Sequence, residues 1–205
     1  MELKQTALVL IGYQNDYFAP DGILHAFIEE SSSVTGTLAN TVDLIEHLKD
    51  TPVLIVSTPI AFTADYNELV EPVGILQTIK EKGAFQAGSK GSETIHEIHQ
   101  FGDRIIEVPG KRGLNAFSNT QLDEIFKEHG ITDVIMAGVV VSICIDSTSR
   151  AAVENGYKVS VLSDCSSGRT VFEHEFYCSN IFPIYAEVID HHQLLKALKI
   201  RVVRK

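Results

Sequence analysis

Short unbroken apolar runs alternate along the chain with stretches whose apolar positions recur every three or four residues. The run Ala7 to Ile11 is apolar throughout, which predicts a strand buried on both faces. From Thr37 to Lys49 the apolar positions Leu38, Val42, Ile45 and Leu48 share one helical face. Pro52 precedes a second strand, Val53 to Ser57. Arg104 to Val108 is a third, stopped by Pro109-Gly110. Gln121 to Glu128 predicts a helix with Gly130 beyond its end. Asp133 to Val139 is the fourth and most apolar strand. Ser142 to Asn155 predicts the next helix, with Ser142 as N-cap and Gly156 past its end. Lys158 to Leu162 and Ala186 to Ile189 are strands five and six, and Gln193 to Leu198 a short tail helix. Ala61 to Ser92 is the least periodic stretch and predicts a long loop over a site.

Strands alternating with helices imply a mainly parallel α/β sheet with helices on both faces, folded as one domain over residues 1–205. Ligands of such sheets sit beyond the C-terminal strand ends. Those ends are Gly12, Lys111 and the segment Val139 to Cys144.

Charge and cysteine usage narrow the function. Seventeen Lys and Arg against 27 Asp and Glu give a net charge of −10. That leaves no basic excess to neutralise phosphates, so nucleic acid and anionic membranes are not expected partners. The longest apolar run, Val134 to Val141, falls well short of a spanning helix of ~20 residues. The first residues do not read as a secretory signal. Three widely spaced cysteines make no disulfide framework, which fits a reduced, cytoplasmic protein.

The strongest chemical signal is Gly138 to Ala152, GVVVSICIDSTSRAA. Cys144 falls near the start of the predicted helix, where unpaired N–H groups and the helix dipole favour a thiolate. The same N–H groups could hold an oxyanion. Position alone leaves a second possibility, a buried small hydrophobe. Cys165 and Cys178 lack that placement and are read as structural. Lys111, in a tight Pro-Gly turn, could supply a cation to the thiol, or be an ordinary solvated loop lysine. Other patterns fail. Gly83 to Lys90, GAFQAGSK, has Ser and Lys transposed from a phosphate loop and no preceding strand. His96-Glu97-Ile98-His99 is one residue short of a zinc-binding spacing, and His191-His192 read as surface residues.

The segments TALVLIGYQNDYF, PGKRGLNAF and GVVVSICIDSTSRAAVENGYKVSVLSD, in this order, resemble the isochorismatase-like cysteine hydrolase superfamily. Its relatives include nicotinamidases, N-carbamoylsarcosine amidohydrolase and ureide hydrolases. The resemblance implies a Rossmann-like three-layer sandwich with a six-stranded sheet, and a homodimer or homotetramer. It implies a nucleophile at Cys144, a lysine at Lys111, and a cis peptide at Val139–Val140 that turns the Val140 N–H toward an oxyanion hole shared with the Cys144 N–H.

Two departures follow. The family string reads roughly V-I-D-x-Q-N-D-F, with its first Asp as base; here Gly12 stands in that place, and Asp16 matches the second, separate Asp. Tyr13 or a water is a candidate substitute. The substrate could instead carry a better leaving group or its own acid, or the protein could only bind. A cysteine kept while the Asp is lost argues against isochorismate cleavage. Where nicotinamidases hold zinc, this chain has Ser57 to Phe62 with no ligand residue, so neither zinc, another cofactor nor nicotinamidase activity is expected. Phe18, Phe62, Phe85 and Tyr177 are candidates to line a pocket for a small-molecule substrate. Two readings stand. One is a hydrolase of a small amide or ureide C–N bond acting through a Cys144 thioester with an incomplete triad. The other is a small-molecule-binding or regulatory pseudoenzyme on the same scaffold.

Overall fold

The structure, a computed structural model, describes residues 1–200. Six strands form one sheet in the order β3-β2-β1-β4-β5-β6, every neighbouring pair parallel. They are β1 Thr6–Ile11, β2 Leu54–Thr58, β3 Ile106–Glu107, β4 Asp133–Val139, β5 Lys158–Ser167 and β6 Glu187–Ile189. The helices are α1 Asn15–Phe18, α2 Glu29–Thr35, α3 Thr37–Leu48, α4 Ile75–Lys82, α5 His96–His99, α6 Leu122–Glu128, α7 Asp146–Glu154, α8 Val171–Phe176 and α9 His191–Ala197. Among the described residues no helix is long and apolar enough to cross a membrane.

Alternation along β1 builds the layers, because successive side chains leave opposite faces of a strand. Ala7, Val9 and Ile11 pack with Leu122 and Phe126 of α6 and Ala152 of α7. Leu8 and Leu10 pack with Leu44, Ile45 and Leu48 of α3 and Leu194 and Leu195 of α9. A third cluster, with Tyr17, Phe62, Phe85, Val139 and Val140, caps the C-terminal strand ends. Strand order runs outward in opposite directions from β1 and β4, so the cleft between their C-terminal ends is the topological switch point.

Several elements differ from the sequence expectation. β3 is two residues long rather than five, an exposed edge. Arg104 is withdrawn from it, because its guanidinium donates to the carbonyls of Leu48, Lys49, Thr51 and Val53 at the end of α3 and the start of β2. β5 runs five residues further than its apolar stretch, since Ser166 and Ser167 stay paired with Gly138 and Val139 beyond an irregularity in β4. The segment 61–92 is not one loop: α4 lies inside it, with Ile75, Leu76 and Ile79 supplying an apolar face too short to register as periodic. Ser142 is no N-cap. The chain leaves β4 through a wide π-turn, Val141–Ile145, in which the N–H groups of Ile143 and Ile145 both donate to the Val140 carbonyl. Cys144 therefore lies in this turn, ahead of α7. Cys178 likewise lies in a π-turn, Tyr177–Ile181, not inside an α-helix. The tail helix begins two residues early, at His191, because Asp190 and Gln193 form a capping box.

Candidate active site

Two glycines shape the switch point. Gly138 pairs with Ile11, and a Cβ there would stand 1.9 Å from the Ile11 carbonyl oxygen, so only glycine admits this approach of β4 to β1. Gly12, just past β1, has φ +77°, and its Cβ would stand 2.8 Å from Val139 Cγ2 and 2.9 Å from the Val139 carbonyl oxygen. The bond between Val139 and Val140 is cis. Val140 is fully buried, and its N–H makes no hydrogen bond among the described residues. A buried donor left open beside a thiol is the kind of group that could bind a developing oxyanion.

Lys111 reaches the thiol because β2 is continued past its end. The Gln14 side chain brackets Ile60, Nε2 donating to its carbonyl at 2.7 Å and Oε1 accepting its N–H at 2.9 Å. Ile60 in turn bridges to Lys111 in parallel register. The loop after β3 is tied to α7 where the Ala116 N–H donates to Thr148 Oγ1. Lys111 is consequently 0% exposed, and its Nζ lies 3.4 Å from Cys144 Sγ, itself 3% exposed. No carboxylate pairs with this ammonium among the described residues. A buried ammonium is tolerated only with a partner, and the sulfur is the one the fold supplies. Thr58 Oγ1, buried at the end of β2, also lacks a hydrogen-bond partner.

Asp16 does not face the thiol as a base. It accepts the Phe85 N–H at 2.6 Å and the Ile23 N–H at 3.4 Å, anchoring the segment that covers the site. Phe62 and Phe85 are fully buried in the cluster with Val139 and Val140, over the strand ends. Phe18 stacks on Tyr13, with centroids 5.2 Å apart, and Tyr177 packs edge-on against Phe182 at 5.6 Å. Tyr13, a candidate for the role expected of a carboxylate at residue 12, is turned to the opposite face. There its hydroxyl donates to the Cys165 carbonyl at 3.0 Å and shares a 2.6 Å bond with Thr41. A cleft of about 560 Å³ opens beside the site, lined by Leu69, Leu76, Arg112, Asn115 and Ser147.

Residues 6–193 match the isochorismatase domain family. The chain belongs to that family. Relatives of this isochorismatase-family chain include the uncharacterized isochorismatase family protein YddQ of Bacillus subtilis, 28% identical over 81% of this chain and 79% of that protein. Nicotinamidase 3 of Arabidopsis thaliana is 24% identical over 95% and 89%. The ureidoacrylate amidohydrolase RutB of Azorhizobium caulinodans is 24% identical over 80% and 77%. A cysteine hydrolase of Pseudomonas syringae shares the fold with TM-score 0.85 at 17% identity, over 97% of this chain and 94% of that one.

The zinc that the resemblance associates with nicotinamidases has no donor set in this family member. Ser57 to Phe62 at the end of β2 carry no carboxylate, imidazole or thiol. The one cluster of ligand-type side chains among the described residues, Asp164, Cys165 and His191, lies under α9 on the other face. His191 Nδ1 is engaged with Asp164 Oδ2 at 2.5 Å and its Nε2 lies 3.5 Å from Asp43. His96 and His99 sit on the four-residue helix α5.

Sequence reasoning missed Gln14, which fixes Lys111 through Ile60.

Proposed function

We propose that this isochorismatase-family protein is a cysteine hydrolase that cleaves a small amide or ureide C–N bond through a Cys144 thioester, with no metal taking part. The observation that carries the reading is the buried Lys111 ammonium 3.4 Å from the Cys144 sulfur. The ammonium supports a thiolate, the thiolate adds to the substrate carbonyl, and the N–H groups of Val140 and Cys144 receive the oxyanion. Two relatives with amidase names, a nicotinamidase and an amidohydrolase, point to the same bond class. That no carboxylate pairs with Lys111 among the described residues favours a second reading, a protein that binds a small molecule without turning it over.

Alkylation separates the two. Burial, helped by the charge of Asp164, holds the Cys165 thiol well above its ordinary range, and burial pushes the Cys178 thiol up to about 12. Near neutral pH, iodoacetamide followed by peptide mass spectrometry should label Cys144 first, although Cys178 is the more exposed. Cys144→Ala should then lower turnover of any amide the wild type hydrolyses by on the order of 10⁴-fold or more. Equal labelling of the three thiols would favour the binding reading.

A further inference from the structure

The vacancy at Gly12 is covered by an aromatic ring. The point where a Cβ of residue 12 would stand lies 3.5 Å from Cδ2 of Tyr17. Tyr17 is 2% exposed and packs with Phe62, Phe85, Val139 and Val140, its ring 5.0 Å from that of Phe85. Buried phenols normally find a partner, and most tyrosines of this protein do. Tyr13 donates to the Cys165 carbonyl, Tyr66 to the Ala84 carbonyl, Tyr157 to Asp123 and Tyr185 to Asp146. Tyr17 as a residue is more deeply buried than three of these, and its hydroxyl makes no hydrogen bond among the described residues. The other two buried tyrosines, Tyr13 and Tyr66, spend their phenols within the chain, whereas the Tyr17 phenol is open to a group that is not part of it.

We propose that the Tyr17 hydroxyl is the proton donor and acceptor of this site, acting from beside the position where Gly12 lacks a carboxylate. This rests on the thioester reading above. In the first half-reaction the Cys144 sulfur forms a bond to the substrate carbonyl carbon, the C–N bond breaks, and the departing nitrogen takes the Tyr17 proton. In the second, water adds to the thioester carbonyl, its proton passes to the Tyr17 oxygen, and the C–S bond breaks to restore the thiolate. The sum is amide plus water giving acid plus amine. The Lys111 ammonium stays beside the sulfur and balances the negative charge that alternates between thiolate and phenolate. Burial, together with the nearby charges of Cys144 and Asp16, holds the Tyr17 phenol well above its ordinary range. The resting group is therefore a protonated donor, suited to a basic amine leaving group and needless for a stable anionic one.

The test uses that difference in leaving group. Tyr17→Phe keeps the ring and removes only the oxygen. Wild type and variant are compared on p-nitrophenyl acetate, whose phenolate leaves without a proton, and on p-nitroacetanilide, whose nitrogen needs one. The expected result is a 10²- to 10⁴-fold fall in kcat/KM on the anilide. The rate of Cys144 acylation by the ester, read as the burst, should fall less than about tenfold. Equal losses on both substrates, no loss on either, or a wild type acylated by the ester that leaves the anilide intact would each overturn the assignment of Tyr17 while the nucleophile stands. A wild type that the ester does not acylate at Cys144 would instead remove the hydrolase reading itself.

Discussion

Cys144 and Cys165 are both buried at the C-terminal ends of neighbouring strands, yet their surroundings are built on opposite principles. On the α3 and α9 side of Cys165 the polar groups are paired, while the buried hydroxyls of Ser166 and Ser167, next along β5 toward Gly138 and Val139, have no partner among the described residues. The Cys165 carbonyl takes the Tyr13 hydroxyl, and its neighbour Asp164 holds His191 by both the backbone N–H and Nδ1. Around Cys144 they are left open among the described residues: an ammonium whose partner is the sulfur, a Val140 N–H and a buried Thr58 hydroxyl without partners, and a Tyr17 hydroxyl that makes no hydrogen bond. Satisfied buried networks hold a fold in one arrangement. Open ones weaken it and persist where chemistry uses them. The face with α3 and α9 is structural, and the switch point is where the fold keeps unspent polar groups.

The comparison can be broken first at its most charged point. Lys111→Met removes the ammonium while keeping its length. Alkylation of Cys144 near neutral pH should slow about 10²-fold, because the cation that favours a thiolate is gone. Folding stability should stay the same or rise, since an ion buried beside only a thiol is replaced by an apolar chain. A large loss of stability with labelling unchanged would place Lys111 among the structural residues.

The next largest effect is expected at Gly12. Gly12→Ala forces a Cβ into a left-handed backbone and against the Val139 carbonyl, and should lower the unfolding free energy by about 2–3 kcal/mol in urea. Gly12→Asp should lose at least as much and gain no turnover. A stable Gly12→Asp protein with raised amidase activity would show that the site still accepts the carboxylate.

The smallest effect tests the paired side. The hydrogen bond from Asp164, outweighing burial, raises the His191 pKa. Burial works to raise Asp164, but the hydrogen bond and charge of His191 outweigh it and the carboxylate ends up lowered. The histidine contribution is fully present below its ordinary value of about 6.5 and is lost as pH rises through the raised value. The carboxylate contribution is present above about 3.9 and is lost as pH falls through the lowered value. Wild-type stability should therefore decline by about 1 kcal/mol between pH 6 and pH 9 from this pair. His191→Gln should flatten that decline without touching the labelling of Cys144. An unchanged profile would remove His191 from the stabilising network.

Much of the fold was legible in one dimension. β1, β4 and α3 are long, apolar and periodic, because each is buried along its whole length or one whole face, and burial leaves its period in the residues. The ends were not legible where tertiary contacts override local preference. Arg104 leaves β3 for the carbonyls around α3, and Asp190 starts α9 early by its side chain. β5 is carried through polar residues by its ladder with β4. Of the candidate site, placement at strand ends left Cys144 and Lys111 with ordinary alternatives, and the family resemblance singled them out. Tyr13 was misassigned because alternation past a left-handed glycine does not say which face a side chain takes.

By itself the sequence determined the order of the six strands and of α3, α6, α7 and α9 among them, the acidic net charge, the thiol after β4 and a glycine at residue 12. Each of these is a property of a residue or a period and needs no third dimension. Only the folded chain decided that Lys111 is buried against the Cys144 sulfur, that Asp16 serves the covering segment, and that the Tyr17 ring closes over Gly12. Those facts depend on groups far apart in sequence meeting at the switch point between β1 and β4, and proximity across the chain is set by packing rather than by spacing.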